Sequence, residues 1–206
     1  MTPRLCSYIV KRDSGFAPNP YWGFCTLAAC TPNHMGVKLC RGDWIAGFLS
    51  ERSRSSRQRS HRLLYAMEIS AVMHMNDYFH DARFQRKKPR LSGNGKKCCG
   101  DNIYRQNTSG EWVQSKNMSH GLSCLAQDTK HPYVFIGREF WYFGRKRIHL
   151  PKKFKPLVKN GRGIKMNRDA TLVDEFCTWI KKRKSGIHAM SNDASINCNQ
   201  SNRSCS

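Results

Sequence analysis

Three residues in the middle of the chain have side chains suited to acid–base chemistry. Asp101 lies in the glycine-led segment 100–104, His120 follows in a loop-like stretch, and Asp128 precedes an apolar run. An imidazole oriented by a carboxylate is a common general base, so His120 is a candidate base with Asp101 or Asp128 as its partner. The alternative is that both aspartates serve turns and that His120 is an ordinary loop residue.

A second group of residues is rich in aromatic rings. Tyr21 and Trp22 lie in a loop punctuated by proline and glycine, and Trp44 opens an apolar run after a tight turn. We expect the loop and this run to face each other and to leave a slot for a nucleobase, with Asn19 beside the rings. Stacking on such rings contributes about 1–3 kcal/mol per base. The alternative is that the rings fill the core.

The charge balance indicates a polyanionic partner. The chain has 36 Lys and Arg against 14 Asp and Glu, a formal net charge of +22. Such a surface attracts nucleic acid first and acidic lipid second, although it is also compatible with a merely solvated basic face. The candidate phosphate-binding residues fall in two basic runs: Arg52, Arg54, Arg57, Arg59, Arg86, Lys87 and Lys88.

Several familiar sites are missing from the sequence. It contains no Walker loop, no Gly-x-Ser-x-Gly elbow, no His-Glu-x-x-His helix and no dinucleotide fingerprint. The eight histidines are scattered and the ten cysteines lack paired C-x-x-C spacing, so no metal site is predicted and no cofactor is indicated. Without an apolar run of about 20 residues or a signal-peptide core, we expect a cytoplasmic protein, mostly with thiol cysteines, that makes no membrane contact.

Hydrophobic patterning predicts a mixture of strands and helices. The segment from 43 to 72 is expected to form a hairpin joined by an arginine-rich loop, and Asp169 is expected to cap the clearest helix. We assign residues 1–185 to one domain and residues 186–206, rich in Ser and Asn, to a disordered tail. The predicted elements are strands over 5–11, 43–49, 63–72, 133–136 and 140–144, with helices over 77–85 and 170–183.

Motifs spread over most of the chain, from Pro3 to Lys182, occur in a recognisable order. They are Phe16–Ala28, Gly42–Ile45, Tyr65–Met67, Asp77–Phe79, Arg83–Lys87, Gly100–Tyr104, Asp128–Thr129 and Phe143–Gly144. In this order they resemble the nucleotide modification associated domain 2 family. The resemblance implies a link to systems that modify DNA or nucleotide bases, and it supplies no catalytic residues to carry over. The chain departs from the family pattern in being unusually rich in Cys and Arg.

A second resemblance concerns the fold. Trp22-Gly23, then Gly42–Ile45, then a returning strand from Leu64 to Val72 looks like the order in EVE and other PUA-like domains. Those domains resemble small β-barrels that hold a modified base in an aromatic cage. The expected fold is therefore α+β, a small mixed β-barrel or curved sheet with a C-terminal helix packed on it.

Three functional hypotheses follow. The first is a module that recognises a modified or flipped base in the aromatic slot while basic loops hold the backbone. The second is an enzyme that installs, transfers or removes a base modification, and the third is a non-specific basic nucleic-acid-binding protein. The expected partner is nucleic acid, DNA in preference to RNA, or a modified nucleotide; the sequence does not specify an oligomeric state.

Overall fold

The computed structural model describes residues 3–52, 59–92, 95–159 and 161–191. The strands in these residues are β1 Leu5–Ile9, β2 Cys25–Leu27, β3 Trp44–Arg52, β4 Arg59–Glu68, β5 Ala71–His74, β6 Tyr104–Gln106, β7 Trp112–Gln114, β8 Tyr133–Gly137, β9 Phe140–Tyr142, β10 Ile148–His149, β11 Ile164–Asn167 and β12 Gly186–Ile187. The α-helices are α1 Met75–His80, α2 Gly95–Cys98, α3 Leu125–Thr129 and α4 Ala170–Lys181. Short 3-10 helices cover Asn33–Met35, Ala82–Lys87, Leu122–Cys124, Gly144–Lys146 and Lys152–Leu157.

The strands form three sheets. The largest has the order β11-β1-β3-β4-β9-β12, with β10 also paired to β4, and the others are β2-β8-β5 and β6-β7. The fold is therefore mixed α/β, as its sequence pattern indicates, but the described strands do not close into a barrel. The barrel form of the prediction is not confirmed, because in the described residues the main sheet ends on two different edge strands, β11 and β12, and other strands belong to separate sheets.

The central hairpin of β3 and β4 is confirmed and is longer than predicted. Its pairing runs from Trp44 opposite Glu68 to Arg52 opposite Arg59, so both ends of the predicted arginine loop belong to strands. Arg54 and Arg57 lie outside the described residues. Because successive side chains on a strand point to opposite faces, Trp44 packs in one core and Ile45 in another.

Two predicted elements are divided in the structure. The predicted strand over 63–72 becomes β4 and β5, because the chain changes sheets after Glu68 and the amide of Ser70 donates to the carbonyl of Ile136, at 2.7 Å. The predicted helix over 77–85 becomes α1 and the 3-10 helix Ala82–Lys87, since Asp81 is extended and caps the second one.

The predicted C-terminal helix is confirmed as α4. The Asp169 carboxylate accepts a hydrogen bond from the Leu172 amide at 3.0 Å, which satisfies one of the first-turn donors. The apolar face of the helix, with Val173, Phe176 and Ile180, packs on the main sheet in the core that also holds Trp44. In the described part of the chain no helix combines the length and the apolar character that spanning a bilayer demands.

The predicted disordered tail begins too early. Gly186–Ile187 form β12, which pairs in parallel with β9, and the His188 amide donates to the Tyr142 carbonyl at 2.8 Å. Ser191 is buried. Backbone hydrogen bonds therefore hold residues 186–191 against the sheet, and residues 192–206 lie outside the described residues.

The packing of α4 generates a stability prediction. Phe176→Ala should lower the free energy of unfolding by about 3–5 kcal/mol, because it removes a fully buried ring and leaves a cavity. Urea unfolding monitored by circular dichroism measures this change. Thr178→Ala, on the exposed side of the same helix, is the matched control and should change stability by less than about 0.5 kcal/mol. A loss for Phe176→Ala as small as that of the control would contradict this packing.

Candidate functional site

Two of the three predicted acid–base residues meet in the structure. The Nδ1 atom of His120 lies 2.5 Å from Oδ2 of Asp128, and the exposed fractions of the two side chains are 6% and 0%. A carboxylate can only accept here, so Nδ1 carries the proton that it donates to Asp128. The other ring nitrogen, Nε2, is then left with a lone pair in the neutral imidazole.

The Nε2 atom of His120 faces a thiol. The Sγ atom of Cys30 lies 2.9 Å from Nε2, and Cys30 is partly exposed. With Nε2 as the acceptor, the Cys30 S–H donates to it, which gives a continuous chain from thiol to imidazole to carboxylate. This is the arrangement by which a histidine activates a nucleophile while an acid orients it. The sequence prediction did not include Cys30, because nothing in its spacing distinguishes it from the other cysteines.

Three separate segments position these groups. Cys30 follows strand β2, Asp128 lies on α3, and His120 lies in the loop between β7 and the 3-10 helix Leu122–Cys124. The His120 loop is held by amide side chains. The Asn117 Oδ1 atom accepts from the His120 amide at 2.7 Å, and the Gln114 Nε2 atom donates to the His120 carbonyl at 2.7 Å. These two hydrogen bonds fix the backbone of His120 independently of the contacts that its ring makes.

The backbone of Cys30 is strained. Its φ is +67°, and among the described residues only Trp22 shares this left-handed conformation without being glycine. Such conformations cost about 1–3 kcal/mol and persist where the surrounding structure imposes them, often at functional sites. The strain at Cys30 therefore accompanies the placement of its sulfur against His120.

The surroundings of the group keep the thiol protonated at rest. Burial raises the pKa of Cys30, and the Asp128 carboxylate acts in the same direction. Phe16 packs its ring 4.7 Å from that of His120, centroid to centroid. The Tyr104 hydroxyl also donates to Oδ2 of Asp128, and burial raises the pKa of this tyrosine. The thiol of the resting site therefore carries its proton, which can pass to His120 as the sulfur reacts.

Asp101, the third predicted residue, belongs to a different network. Its carboxylate accepts from the Thr26 hydroxyl at 2.6 Å and from the Tyr78 hydroxyl at 2.8 Å. Burial raises the pKa of Asp101, and the nearby Lys87 ammonium opposes that shift. Both carboxylate oxygens are thus engaged in holding β2 to α1, and Asp128 is the carboxylate that orients His120.

Lys87 and Asn19 have structural positions that differ from their predicted roles. The Lys87 side chain is fully buried, and its Nζ donates to the Asn19 carbonyl at 2.9 Å, to Asn19 Oδ1 at 2.8 Å and to the Phe24 carbonyl at 2.9 Å. The Asn19 Nδ2 atom in turn donates to the Cys99 carbonyl at 2.7 Å. Lys87 cannot reach a phosphate from this position, and the polar atoms of Asn19 are occupied by the protein itself.

The three aromatic residues do not form a common slot. Trp44 is buried in the core on one face of the main sheet, where its ring stacks on Trp141 at 5.5 Å. Tyr21 is buried elsewhere, and its hydroxyl lies 3.4 Å from Ser191 Oγ. Gly15 permits this approach, because a Cβ there would lie 2.8 Å from the Tyr21 hydroxyl. The prediction that Trp44 faces Tyr21 is wrong, since the fold places the two rings in separate layers.

Trp22 remains partly exposed and lies among cations. The Arg86 guanidinium lies 4.0 Å from the Trp22 ring centroid, and the Lys96 ammonium lies 5.1 Å from it. The indole N–H is buried and has no acceptor among the described residues. A similar arrangement surrounds Phe79, whose ring centroid lies 3.7 Å from the Lys88 ammonium. We call Trp22, Phe79 and the cations on their rings the cation–aromatic surface: Trp22, Phe79, Arg86, Lys88, Lys96 and Arg105.

The predicted phosphate-binding residues have different positions in the structure. Arg86 is exposed and Lys88 is partly exposed, so both stay candidates for a phosphate. Arg52 and Arg59 pair at the end of the β3–β4 hairpin.

The cysteines divide into thiols and disulfide-bonded residues. Cys98 and Cys124 are disulfide-bonded, whereas Cys6, Cys25 and Cys40 are among the thiols. Within the described ranges, no group of three or more His, Cys, Asp or Glu side chains is placed to hold a metal ion.

Comparison with known proteins connects the chain to one family. The family model described as nucleotide modification associated domain 2 matches residues 2–198, nearly the whole chain. No curated protein and no solved structure matches the chain. The match includes every residue of the Cys30–His120–Asp128 group and of the cation–aromatic surface.

The buried lysine generates a pH prediction. Burial lowers the pKa of Lys87 to about 8, whereas an unfolded lysine titrates near 10.4. Between these values the unfolded state binds more protons than the native state, so stability should rise with pH. Urea unfolding of the wild type and Lys87→Met should show the wild type gaining about 1 kcal/mol per pH unit over the variant between about pH 8 and pH 10.

Lys88→Met is the matched control, because Lys88 is the adjacent lysine and its side chain is partly exposed. Its stability should follow that of the wild type across the same pH range. A constant difference between the wild type and Lys87→Met would show that Lys87 does not titrate in this interval.

Proposed function

The chain belongs to the nucleotide modification associated domain 2 family, and from that premise we propose that it is an enzyme that installs, transfers or removes a modification on a nucleotide base. The observation that carries this proposal is the buried pair of His120 and Asp128, 2.5 Å apart. An imidazole held in one tautomer by a carboxylate is prepared to take up a proton at its other nitrogen. His120 is the proposed general base, and Asp128 is the residue that positions it.

The surroundings of His120 support a chemical role over a purely structural one. A surface histidine needs no buried acid, whereas here the Asp128 carboxylate is sealed from solvent and also accepts from Tyr104. Asn117 and Gln114 fix the His120 backbone from both its amide and its carbonyl. Such support of a base by a surrounding layer of hydrogen bonds is what precise proton transfer requires.

The proposed substrate is a nucleotide or a nucleic acid, DNA in preference to RNA. A net charge of +22 attracts phosphate groups over a long range. The cation–aromatic surface supplies partly exposed rings beside ammonium and guanidinium groups, a combination suited to bases and phosphates together.

The enzyme proposal is tested on nucleosides. The protein is incubated with plain and base-modified DNA, the DNA is digested to nucleosides, and the products are identified by mass spectrometry. The wild type should yield a nucleoside absent from the buffer control. His120→Ala should reduce its rate of formation by about 100-fold to 10,000-fold, because a general base is lost, and Asp128→Asn should reduce it by a smaller factor.

His80→Ala is the matched control, since His80 is an exposed histidine at the end of α1. It should leave the rate unchanged. If no substrate gives a product with the wild type, or if His120→Ala retains the full rate, the enzyme proposal is wrong.

Recognition of a modified or flipped base is a second candidate function, and Trp22 favours it. Its ring is partly exposed, carries Arg86 and Lys96 over its π system, and has a buried indole donor without an acceptor in the described residues. A base that stacks beside this ring could accept that hydrogen bond. In this second candidate function the buried residues Tyr21 and Asn19 support the Trp22 loop and do not contact the base, in contrast to their role in the predicted slot.

Binding measurements separate base recognition from charge. Trp22→Ala should abolish a preference for modified over plain oligonucleotides, at a cost of about 1–3 kcal/mol on the modified one. Arg86→Ala and Lys96→Ala should weaken both complexes equally and reduce the salt slope by about one. Fluorescence anisotropy at two salt concentrations measures both effects. Equal losses on both oligonucleotides for Trp22→Ala would count against base recognition.

A further inference from the structure

We propose that Cys30 is the nucleophile of this site and that the chain transfers acyl groups through a thioester formed on Cys30. The inference rests on the proposed function in one respect, because the nucleotide base is the acyl acceptor. The part that concerns Cys30 itself depends on the geometry of the Cys30–His120–Asp128 group.

A route for the thiol proton is already in place. The Cys30 Sγ lies 2.9 Å from His120 Nε2, the nitrogen that is left as an acceptor when Nδ1 donates to Asp128. A thiol reacts as its thiolate, so its proton must leave as the sulfur attacks. His120 is already in hydrogen-bond contact with that proton, and the imidazolium formed on transfer is stabilised by the adjacent carboxylate.

The position of His120 favours one class of electrophile. Since the thiol is protonated at rest, the sulfur becomes nucleophilic only while His120 takes its proton, as in a serine hydrolase. His120, which then carries the proton, lies next to the carbon that the sulfur attacks. It can deliver the proton to a leaving atom bonded to that carbon. In an ester, thioester or amide the leaving atom is bonded directly to the acyl carbon that the sulfur attacks. Addition of the sulfur to a ring carbon that carries no leaving atom, by contrast, would need an acid at a more distant ring atom.

The chemical steps balance with two reactants. The Cys30 sulfur forms a bond to the acyl carbon of a donor ester, thioester or amide, and His120 accepts the thiol proton. The bond between the acyl carbon and the leaving group breaks, and the leaving atom takes the proton from His120. An amino or hydroxyl group on the nucleotide base then attacks the thioester. His120 removes its proton and returns it to the Cys30 sulfur, so the thiol is regenerated.

The backbone of Cys30 also favours a role for its side chain. Glycine would adopt its φ of +67° without strain, yet a residue with a side chain occupies the position and directs its sulfur at His120. The conformation also provides a favourable control. Cys30→Gly removes the thiol without adding backbone strain, and Cys30→Ser keeps the shape of the side chain.

The test uses p-nitrophenyl acetate as the acyl donor. The full chain is mixed with the ester, released p-nitrophenol is followed by absorbance, and the protein is analysed by intact mass and peptide mapping. The wild type should release a burst of about one p-nitrophenol per chain and carry one acetyl group on Cys30. Cys30→Gly should show no burst, and His120→Gln should slow acetylation by about 100-fold or more.

Cys40→Ser is the matched control, because Cys40 is an exposed thiol outside the group. It should retain the burst, with the acetyl group still on Cys30. Acetylation of Cys40 with Cys30 unmodified, or an equal rate in His120→Gln, would overturn the proposal.

Nucleoside analysis of the same variants distinguishes this proposal from the proposed function. If nucleoside products persist in Cys30→Gly, the enzyme function stands and the nucleophile is wrong. If Cys30 is acetylated in a His120-dependent manner but no nucleoside changes, the nucleophile stands and the acceptor is not a base.

Discussion

A buried lysine holds the part of the structure on which the candidate site depends. The Lys87 ammonium donates to the carbonyls of Asn19 and Phe24 and to the Asn19 side chain, at 2.8 to 2.9 Å. Three donors meet three acceptors, which offsets the large cost of removing a charge from water. The loop that precedes β2 is thereby attached to the 3-10 helix Ala82–Lys87. Since β2 leads directly to Cys30, this attachment also sets where the thiol lies.

The Asp128 side of the site is connected to the same small sheet that contains β2. β2 and β5 both pair with β8, which follows α3, so the strand before Cys30 and the helix with Asp128 belong to one small sheet and its connections. Asp101 joins β2 to α1 through Thr26 and Tyr78. Buried hydrogen bonds thus fix β2 through Asp101 and fix the His120 loop through Asn117 and Gln114, so two separate networks support the thiol–imidazole–carboxylate chain.

The cation–aromatic surface and the Cys30 group are both connected to the loop held by Lys87. Arg86, beside Lys87 in the chain, covers the ring of Trp22, so one short 3-10 helix contributes a buried anchor and an exposed cation. Trp22 and Cys30 are also the two described non-glycine residues with positive φ. Strain is therefore concentrated on either side of β2, where the proposed binding and the proposed chemistry both lie.

Residue spacing and the order of the motifs were enough to predict several local elements and the family. The periodic apolar face and acidic cap of α4, the β3–β4 hairpin and the ordered motifs were all readable, because they depend on neighbours within a few residues or on their order in the chain. The sequence also identified His120 and Asp128, which are eight residues apart. The tertiary structure alone decided that Cys30 joins them, that Trp44 is buried away from Tyr21, and that Lys87 is an anchor. Each of these depends on contacts between distant segments, because residue type and spacing do not specify which elements pack against a given side chain.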